Sequence, residues 1–168
     1  MLLLEKWRTF LSMNKYNVGL TEVNYKIHLS DPTPIKLYIP CYSQGVREAI
    51  LKELDKMKEA NFIEPSISPF AAPMVCVRKG DGSLRVTIDF RMMNKNIIDD
   101  ACPLHWIDDQ IDSMHGSAWF TTLDLTKGYN QMNLDTGSRE YTAFTMTMGL
   151  YQWKILPMGM KTSGAVFQ

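Results

Sequence analysis

Hydrophobic positions give the first map of the chain. Between Gly45 and Ala60, Val46, Ile50, Leu54 and Met57 recur at helical spacing, and Glu48, Lys52, Glu53, Asp55, Lys56, Lys58 and Glu59 occupy the other positions. That pattern predicts an amphipathic helix with a solvated charged face, capped by Ser43 and stopped by Asn61. The apolar runs Met74–Val77 and Leu84–Ile88 flank Lys79-Gly80-Asp81-Gly82-Ser83. Asp-Gly between two such runs predicts a β-hairpin. Strand alternation then sets Arg85 and Thr87 on the face opposite Val86 and Ile88. A second helix is predicted over 103–115, with Pro103 in its first position, Gly116 at its end and Leu104, Ile107, Ile111 and Met114 as its stripe.

The remaining third reads as short strands. Residues 120–125 predict an apolar strand carrying Asp124, followed by a turn over 126–128 and an alternating strand over 129–134. Residues 141–146 and 151–156 predict a strand pair across Gly149, and 157–168 a turn leading into a helix capped by Thr162 or Ser163. That helix begins an apolar face with nothing to bury it, which predicts a chain continuing past Gln168. At the other end, residues 1–44 are weakly patterned. Trp7, Phe10 and Leu11 suit one amphipathic turn and Tyr25 to Leu29 a short strand, and Pro32, Pro34 and Pro40 predict an extended arm lying on something else. Helices alternating with hairpins give an α+β class with a mostly antiparallel sheet.

Length and composition narrow this modestly. The 168 residues suffice for one domain with a core, or for a piece of a larger one, and a hydrophobic content of 45% argues against disorder. Eighteen basic and eighteen acidic residues cancel, which counts mildly against a nucleic-acid binder. Their distribution says more: Arg78, Lys79, Arg85, Arg91 and Lys95 make the hairpin region basic, and residues 99–112 hold five aspartates and no Lys or Arg. Cys41, Cys76 and Cys102 are far apart and odd in number, so no disulfide framework follows and a reducing, intracellular setting fits best. A zinc site on Cys102, His105 and His115 lacks the tight four-ligand spacing such sites use. Glu5 and Lys6 interrupt the leading apolar residues, and no run approaches membrane-spanning length, so no membrane partner is expected.

Asp124 carries the sharpest chemical question. A strand-end aspartate often caps the next turn through its own oxygens. It also suits a hard divalent cation, which takes carboxylates together with substrate phosphates. Asp108 and Asp112, four apart on one helix face, pose the same choice, with solvated carboxylates the commoner outcome.

Five blocks, in order, resemble one family. They are IEPSISPFAAP at 63–73, DGSLRVTIDFRMMN at 81–94, LDLTKGYNQ at 123–131, YTAF at 141–144 and LPMGMKTSGAVFQ at 156–168. Together they look like a reverse transcriptase, an RNA-directed DNA polymerase of the Gypsy-like LTR retrotransposon and retroviral type. The resemblance runs from about Tyr25 to the end of the chain. It implies a right-hand polymerase fold with residues 1–24 an N-terminal arm, 25–115 mainly fingers and 116–168 the opening part of the palm. It also implies nucleotidyl transfer, in which a primer 3′-hydroxyl attacks the α-phosphate of a deoxynucleoside triphosphate held with Mg²⁺ or Mn²⁺.

By the same resemblance, Asp124 matches the first metal-binding aspartate, with the Leu125 carbonyl beside the metal. Tyr129 matches the aromatic under the nucleotide sugar. Arg85 matches the fingers arginine on the triphosphate, and Lys79 would share that task. Met158 stands where relatives have glutamine or phenylalanine and cannot donate a hydrogen bond, and Gly159 keeps the backbone close to template or nucleotide. Gly164 and Thr162-Ser163 depart from the family pattern, whereas Lys161 fits its retroviral version. The family's aromatic-x-Asp-Asp turn, which supplies its remaining metal-binding carboxylates, normally lies beyond the last block; Asp99-Asp100 and Asp108-Asp109 are Asp pairs, but neither follows an aromatic at the right place in a strand hairpin. The implied partners are an RNA/DNA template–primer, deoxynucleoside triphosphates and the rest of a pol polyprotein, including thumb and RNase H. The implied location is the cytoplasm, a retrotransposon particle or the nucleus. The expectation is a chain that does not polymerise alone. Its rivals are a non-catalytic nucleic-acid-binding or interaction module derived from a retrotransposon, and a relic that does not fold stably.

Overall fold

In the computed structural model of the chain, one long helix and one mixed sheet position everything else. The structure describes residue 16 and residues 18–37, 40–78, 80, 84–99, 106–146 and 149–167. The long helix, α1 (Gln44–Glu59), buries Ile50, Leu54 and Met57 and leaves its charged positions in water. Ser43 occupies the N-cap position without a side-chain capping bond. Lys56 and Lys58 stand in the last turn, where the helix dipole favours positive charge. Asn61 ends the helix in the left-handed region (φ 60°), a conformation Asn tolerates better than most residues.

The sheet contains β2 (Ile63–Pro65), β3 (Ala72–Arg78), β4 (Leu84–Ile88), β6 (Phe144–Met146) and β7 (Gly149–Trp153), in the order β2-β7-β6-β3-β4. All neighbours are antiparallel except β3 and β6. The β3–β4 hairpin pairs Met74 with Ile88 and Val77 with Arg85. Met74 and Ile88 therefore enter the core, while Arg85 and Thr87 face outward, as the alternation predicts. Phe144, Leu134, Leu156 and Leu54 form the most deeply buried part of the core.

The arm before α1 is stitched to the rest. β1 (Asn24–Tyr25) runs parallel to β5 (Asn133–Leu134), the Asp135 N–H donates to the Tyr25 carbonyl at 2.9 Å, and the buried Ile27 N–H donates to Ser138 Oγ at 2.9 Å. Further along, the Leu37 N–H donates to the Ala71 carbonyl and the Ala71 N–H to the Ile35 carbonyl, so the proline-rich segment does lie on another element. The expected strand from Tyr25 to Leu29 reduces to β1, with Leu29 making one isolated bridge to Ile97.

Several elements differ from the pattern reading. A short helix, α2 (Arg91–Asn96), follows β4. The second predicted helix contracts to α3 (Ile107–Ser113), and Ile107, Ile111 and Met114 are exposed because none of the described elements covers that stripe. Pro103, Leu104, Cys102 and His105 lie outside the described residues, as do Trp7, Phe10 and Leu11. Residues 120–125 form no strand: an isolated extended segment gains no ladder hydrogen bonds, and Trp119 and Leu123 are 93% and 86% exposed. In place of a strand over 129–134 there is a 3₁₀ turn, η1 (Gly128–Gln131), followed by the two-residue β5. A second 3₁₀ segment, η2 (Thr136–Thr142), capped by the Gly137 N–H donating to the Asp135 carboxylate at 3.0 Å, takes the start of the strand expected over 141–146, which shortens to β6; its expected partner over 151–156 is β7, which begins at Gly149 and ends at Trp153. The last helix, α4 (Ser163–Phe167), does find something to bury against, since Val166 packs on the core and Phe167 on Tyr129. Neither expected cap residue acts as one: the Ser163 hydroxyl donates to the Pro157 carbonyl at 3.0 Å, and Thr162 Oγ1 is buried without a partner.

Candidate functional site

Two turns and one hairpin build the site. The first turn follows Asp124 and Leu125, both exposed. Lys127 takes a left-handed backbone (φ 50°, ψ 51°), which reverses the chain into η1, and the Asn130 N–H closes the turn on the Lys127 carbonyl at 2.8 Å. The buried Asn130 side chain donates to the Leu156 carbonyl at 3.0 Å, fixing this turn to the segment that leads into the second. Gly128 makes room for a ring here. A Cβ on it would lie 2.6 Å from Cζ of Phe167, closer than carbon atoms approach. The missing side chain lets Phe167 meet Tyr129 edge to face, with ring centroids 5.2 Å apart.

The second turn spans Pro157 to Lys161. Met160 is buried, whereas Met158, two residues earlier, is 65% exposed. Gly159 between them has φ +97°, a conformation open to glycine and strained for residues with a Cβ. Asn94 of α2 grips this turn at two points: its Nδ2 donates to the Gly159 carbonyl at 2.8 Å, and the Lys161 N–H donates to its Oδ1 at 2.9 Å. Lys161 Nζ also pairs with Asp99 at 2.6 Å.

These parts enclose two adjoining cavities. One, of about 420 Å³, is lined by Asp124, Leu125, Tyr129 and Met158 together with Lys127. The other, of about 310 Å³, is lined by Arg85, Met158 and Lys127 over a floor of Met74, Phe144 and Trp153. Asp124, Leu125, Tyr129 and Met158 are thus brought together, and Arg85 faces the neighbouring space across Met158. Gly159 stands beside them in the second turn, and Lys79 lies outside the described residues. Among the described residues, no group of three or more His, Cys, Asp or Glu side chains is placed to hold a metal ion. Asp108 and Asp112 stay on the exposed face of α3.

Lys127 and Asn94 escaped the sequence reading. A non-glycine residue in the left-handed region is rare, so nothing in the string LTKG singles out Lys127. Its ammonium sits over the Tyr16 ring at 4.1 Å and the Phe62 ring at 5.2 Å, which ties the arm to the site. Burial, reinforced by the hydroxyl's hydrogen bond to Glu53, raises the pKa of Tyr16. Just after β4, the Arg91 guanidinium donates to both Asp89 oxygens and holds that carboxyl below the usual carboxylate range. Burial raises the Cys76 thiol pKa.

Residues 77–168, more than half of the chain, match the family described as Reverse transcriptase (RNA-dependent DNA polymerase). The chain belongs to the reverse transcriptase family. A retrovirus-related Pol polyprotein from transposon 412 of Drosophila melanogaster is 34% identical over 151 residues, covering 85% of this chain and 12% of the polyprotein. This chain therefore spans a small part of the length of such relatives. A solved structure of a mutant Prototype Foamy Virus protease–reverse transcriptase superposes with a TM-score of 0.88 at 25% identity, covering 99% of this chain and 22% of that one. A foamy viral protease–reverse transcriptase in complex with an RNA/DNA hybrid superposes at 0.81 with 21% identity, covering 98% and 22%. The fold is the reverse transcriptase fold, mixed α and β with an antiparallel-dominated sheet. No helix among the described residues is long and apolar enough to cross a membrane.

Proposed function

We propose that this chain is the nucleotide-receiving part of an RNA-directed DNA polymerase, with residues 25–115 acting as fingers and 116–168 as the opening of the palm. One observation carries the reading: Asp124, Leu125, Tyr129 and Met158 line one cavity, and Arg85 lines the space next to it. In this reading Arg85 holds triphosphate oxygens through its planar fork of N–H donors, and Tyr129 supports the sugar. Met158 packs beside the nucleotide by dispersion alone. Lys79 would join Arg85 on the triphosphate.

Mg²⁺ or Mn²⁺ fits the donor set as a single ion. Mg²⁺ is commonly held by one or two carboxylates plus substrate phosphates, and Asp124 with the Leu125 carbonyl offers hard oxygen ligands of that kind. When bound, the ion would neutralise developing charge on phosphate oxygens. A second ion has no carboxylate set of its own among the described residues. The template–primer, the deoxynucleoside triphosphate and the remaining polyprotein segments are the partners this reading requires. An intracellular setting, in the cytoplasm, a retrotransposon particle or the nucleus, accords with the free thiols of Cys41 and Cys76.

Two measurements test it. Titration of the chain with a deoxynucleoside triphosphate and Mg²⁺ is expected to show binding that weakens roughly tenfold or more in Arg85→Ala, the scale of a lost charged hydrogen bond. Primer extension on an RNA template is expected to give no product from the 168-residue chain with either cation. Absence of nucleotide binding would defeat the proposal, and extension abolished by Asp124→Ala would defeat the requirement for further carboxylates.

A further inference from the structure

The turn that carries Met158 has little regular structure to hold it. It is short, lies outside the sheet and passes through a left-handed glycine. Its far side is anchored by the buried Met160. On its near side the peptide groups on either side of Met160 are gripped by one carboxamide: Asn94 donates to the Gly159 carbonyl at 2.8 Å and accepts from the Lys161 N–H at 2.9 Å. A carboxamide is the smallest side-chain group offering a donor and an acceptor in one plane, so it satisfies both peptide groups at once. Asn94 is itself fixed, because its N–H donates to the Phe90 carbonyl at 2.7 Å in the first turn of α2. The Lys161–Asp99 ion pair adds a second tether on the same side. Met158 remains the unanchored residue of the turn, and it borders both cavities.

We propose that Asn94 is a positioning residue that sets where Met158 and the Gly159 backbone stand against an incoming nucleotide. The inference rests on the nucleotide-binding reading above. Asn94 touches no reacting atom and acts only through the turn. Loss of the carboxamide leaves the Gly159 carbonyl and Lys161 N–H to water, since both are near the surface, so the turn loosens while the fold persists. Nucleotide affinity then falls because Met158 must be ordered at the moment of binding.

The test uses the ¹⁵N- and methionine-methyl-labelled chain. In the free protein, Lys161 amide exchange is expected to be slow in the wild type, about tenfold faster in Asn94→Ala, and intermediate in Asn94→Asp, which keeps the acceptor for the Lys161 N–H but sets a second acceptor oxygen against the Gly159 carbonyl. Titration with a deoxynucleoside triphosphate and Mg²⁺ is then expected to shift the Met158 methyl resonance, with affinity about five- to tenfold weaker in Asn94→Ala. The melting temperature should change little. A wild-type Lys161 amide that exchanges freely would overturn the proposal. So would faster exchange in Asn94→Ala with unchanged affinity. A wild-type chain that binds no nucleotide would overturn the proposed function and this inference together. The exchange data distinguish that case, because the turn would still be seen to be latched.

Discussion

The contact between Gly128 and Phe167 makes a prediction whose sign depends on its partner. Replacing Gly128 by Ala would put a methyl group 2.6 and 2.7 Å from two ring carbons of Phe167, where carbon pairs prefer about 3.5–4.0 Å. The ring must move by about 1 Å, and Phe167 is partly exposed, so it can turn outward. Overpacking typically costs about 1–3 kcal/mol, and a movable ring puts this case near the lower end. Part of that cost is the Tyr129–Phe167 ring pair, worth about 0.5–1.5 kcal/mol. With Phe167→Ala in the background the obstruction is gone. Gly128 is not among the residues with positive φ, so alanine fits its backbone and should stabilise by about 0.4–1 kcal/mol through the unfolded chain. Urea unfolding of the wild type, both single variants and the double variant measures the cycle. Gly128→Ala is expected to destabilise by about 1 kcal/mol alone and to stabilise slightly in the double variant, a coupling of about 1.5 kcal/mol. Equal destabilisation in both backgrounds would show that the cost of the methyl group does not come from Phe167.

Three further outcomes follow from the packing and charge. Phe144→Ala removes a fully buried ring that contacts Tyr151 and Trp153, and calorimetry should show a loss of about 3–5 kcal/mol, enough to unfold a marginal domain. Ser138→Ala strips the acceptor from the buried Ile27 N–H, so stability should fall by about 1–3 kcal/mol, with amide exchange at Ile27 accelerated more than in the β3–β4 hairpin. Asp89 has its pKa lowered by Arg91, so its contribution is fully present above the unfolded carboxylate value of about 3.9 and vanishes as pH falls through the lower folded value. The difference in melting temperature between wild type and Asp89→Asn should accordingly be constant near neutrality and close toward zero in strong acid.

The elements legible in the sequence are those whose signals are local. The stripe from Val46 to Met57 needs only helical periodicity, and Asp81-Gly82 marks the hairpin without knowledge of its neighbours. Residues 120–125 read as a strand because they are apolar, yet a strand is a property of a pair, and the described chain brings no partner to them. The 3₁₀ turns at 128–131 and 136–142 were hidden by the short β-like runs around them, although Asp135-Thr136-Gly137 carries an Asx-turn signal that shows part of the second. Helix α2 is too short for periodicity to register. At the site, Asp124, Arg85 and Tyr129 were visible through family motifs. Lys127 and Asn94 were not, because their placement depends on a left-handed backbone and on a turn 65 residues away in sequence.

The parallel pairing of Asn24–Tyr25 with Asn133–Leu134 has a consequence for synthesis. The earlier-made strand of this pair has its partner more than a hundred residues downstream, so at ribosomal rates of about 5–20 residues per second it waits roughly 5–20 s before it can dock. During that interval α1 and the hairpin can form from local contacts, while the arm stays open to proteases and chaperones. Closure of the arm would then report that the segment through Ser138 has emerged, making it a late step in the birth of the fold.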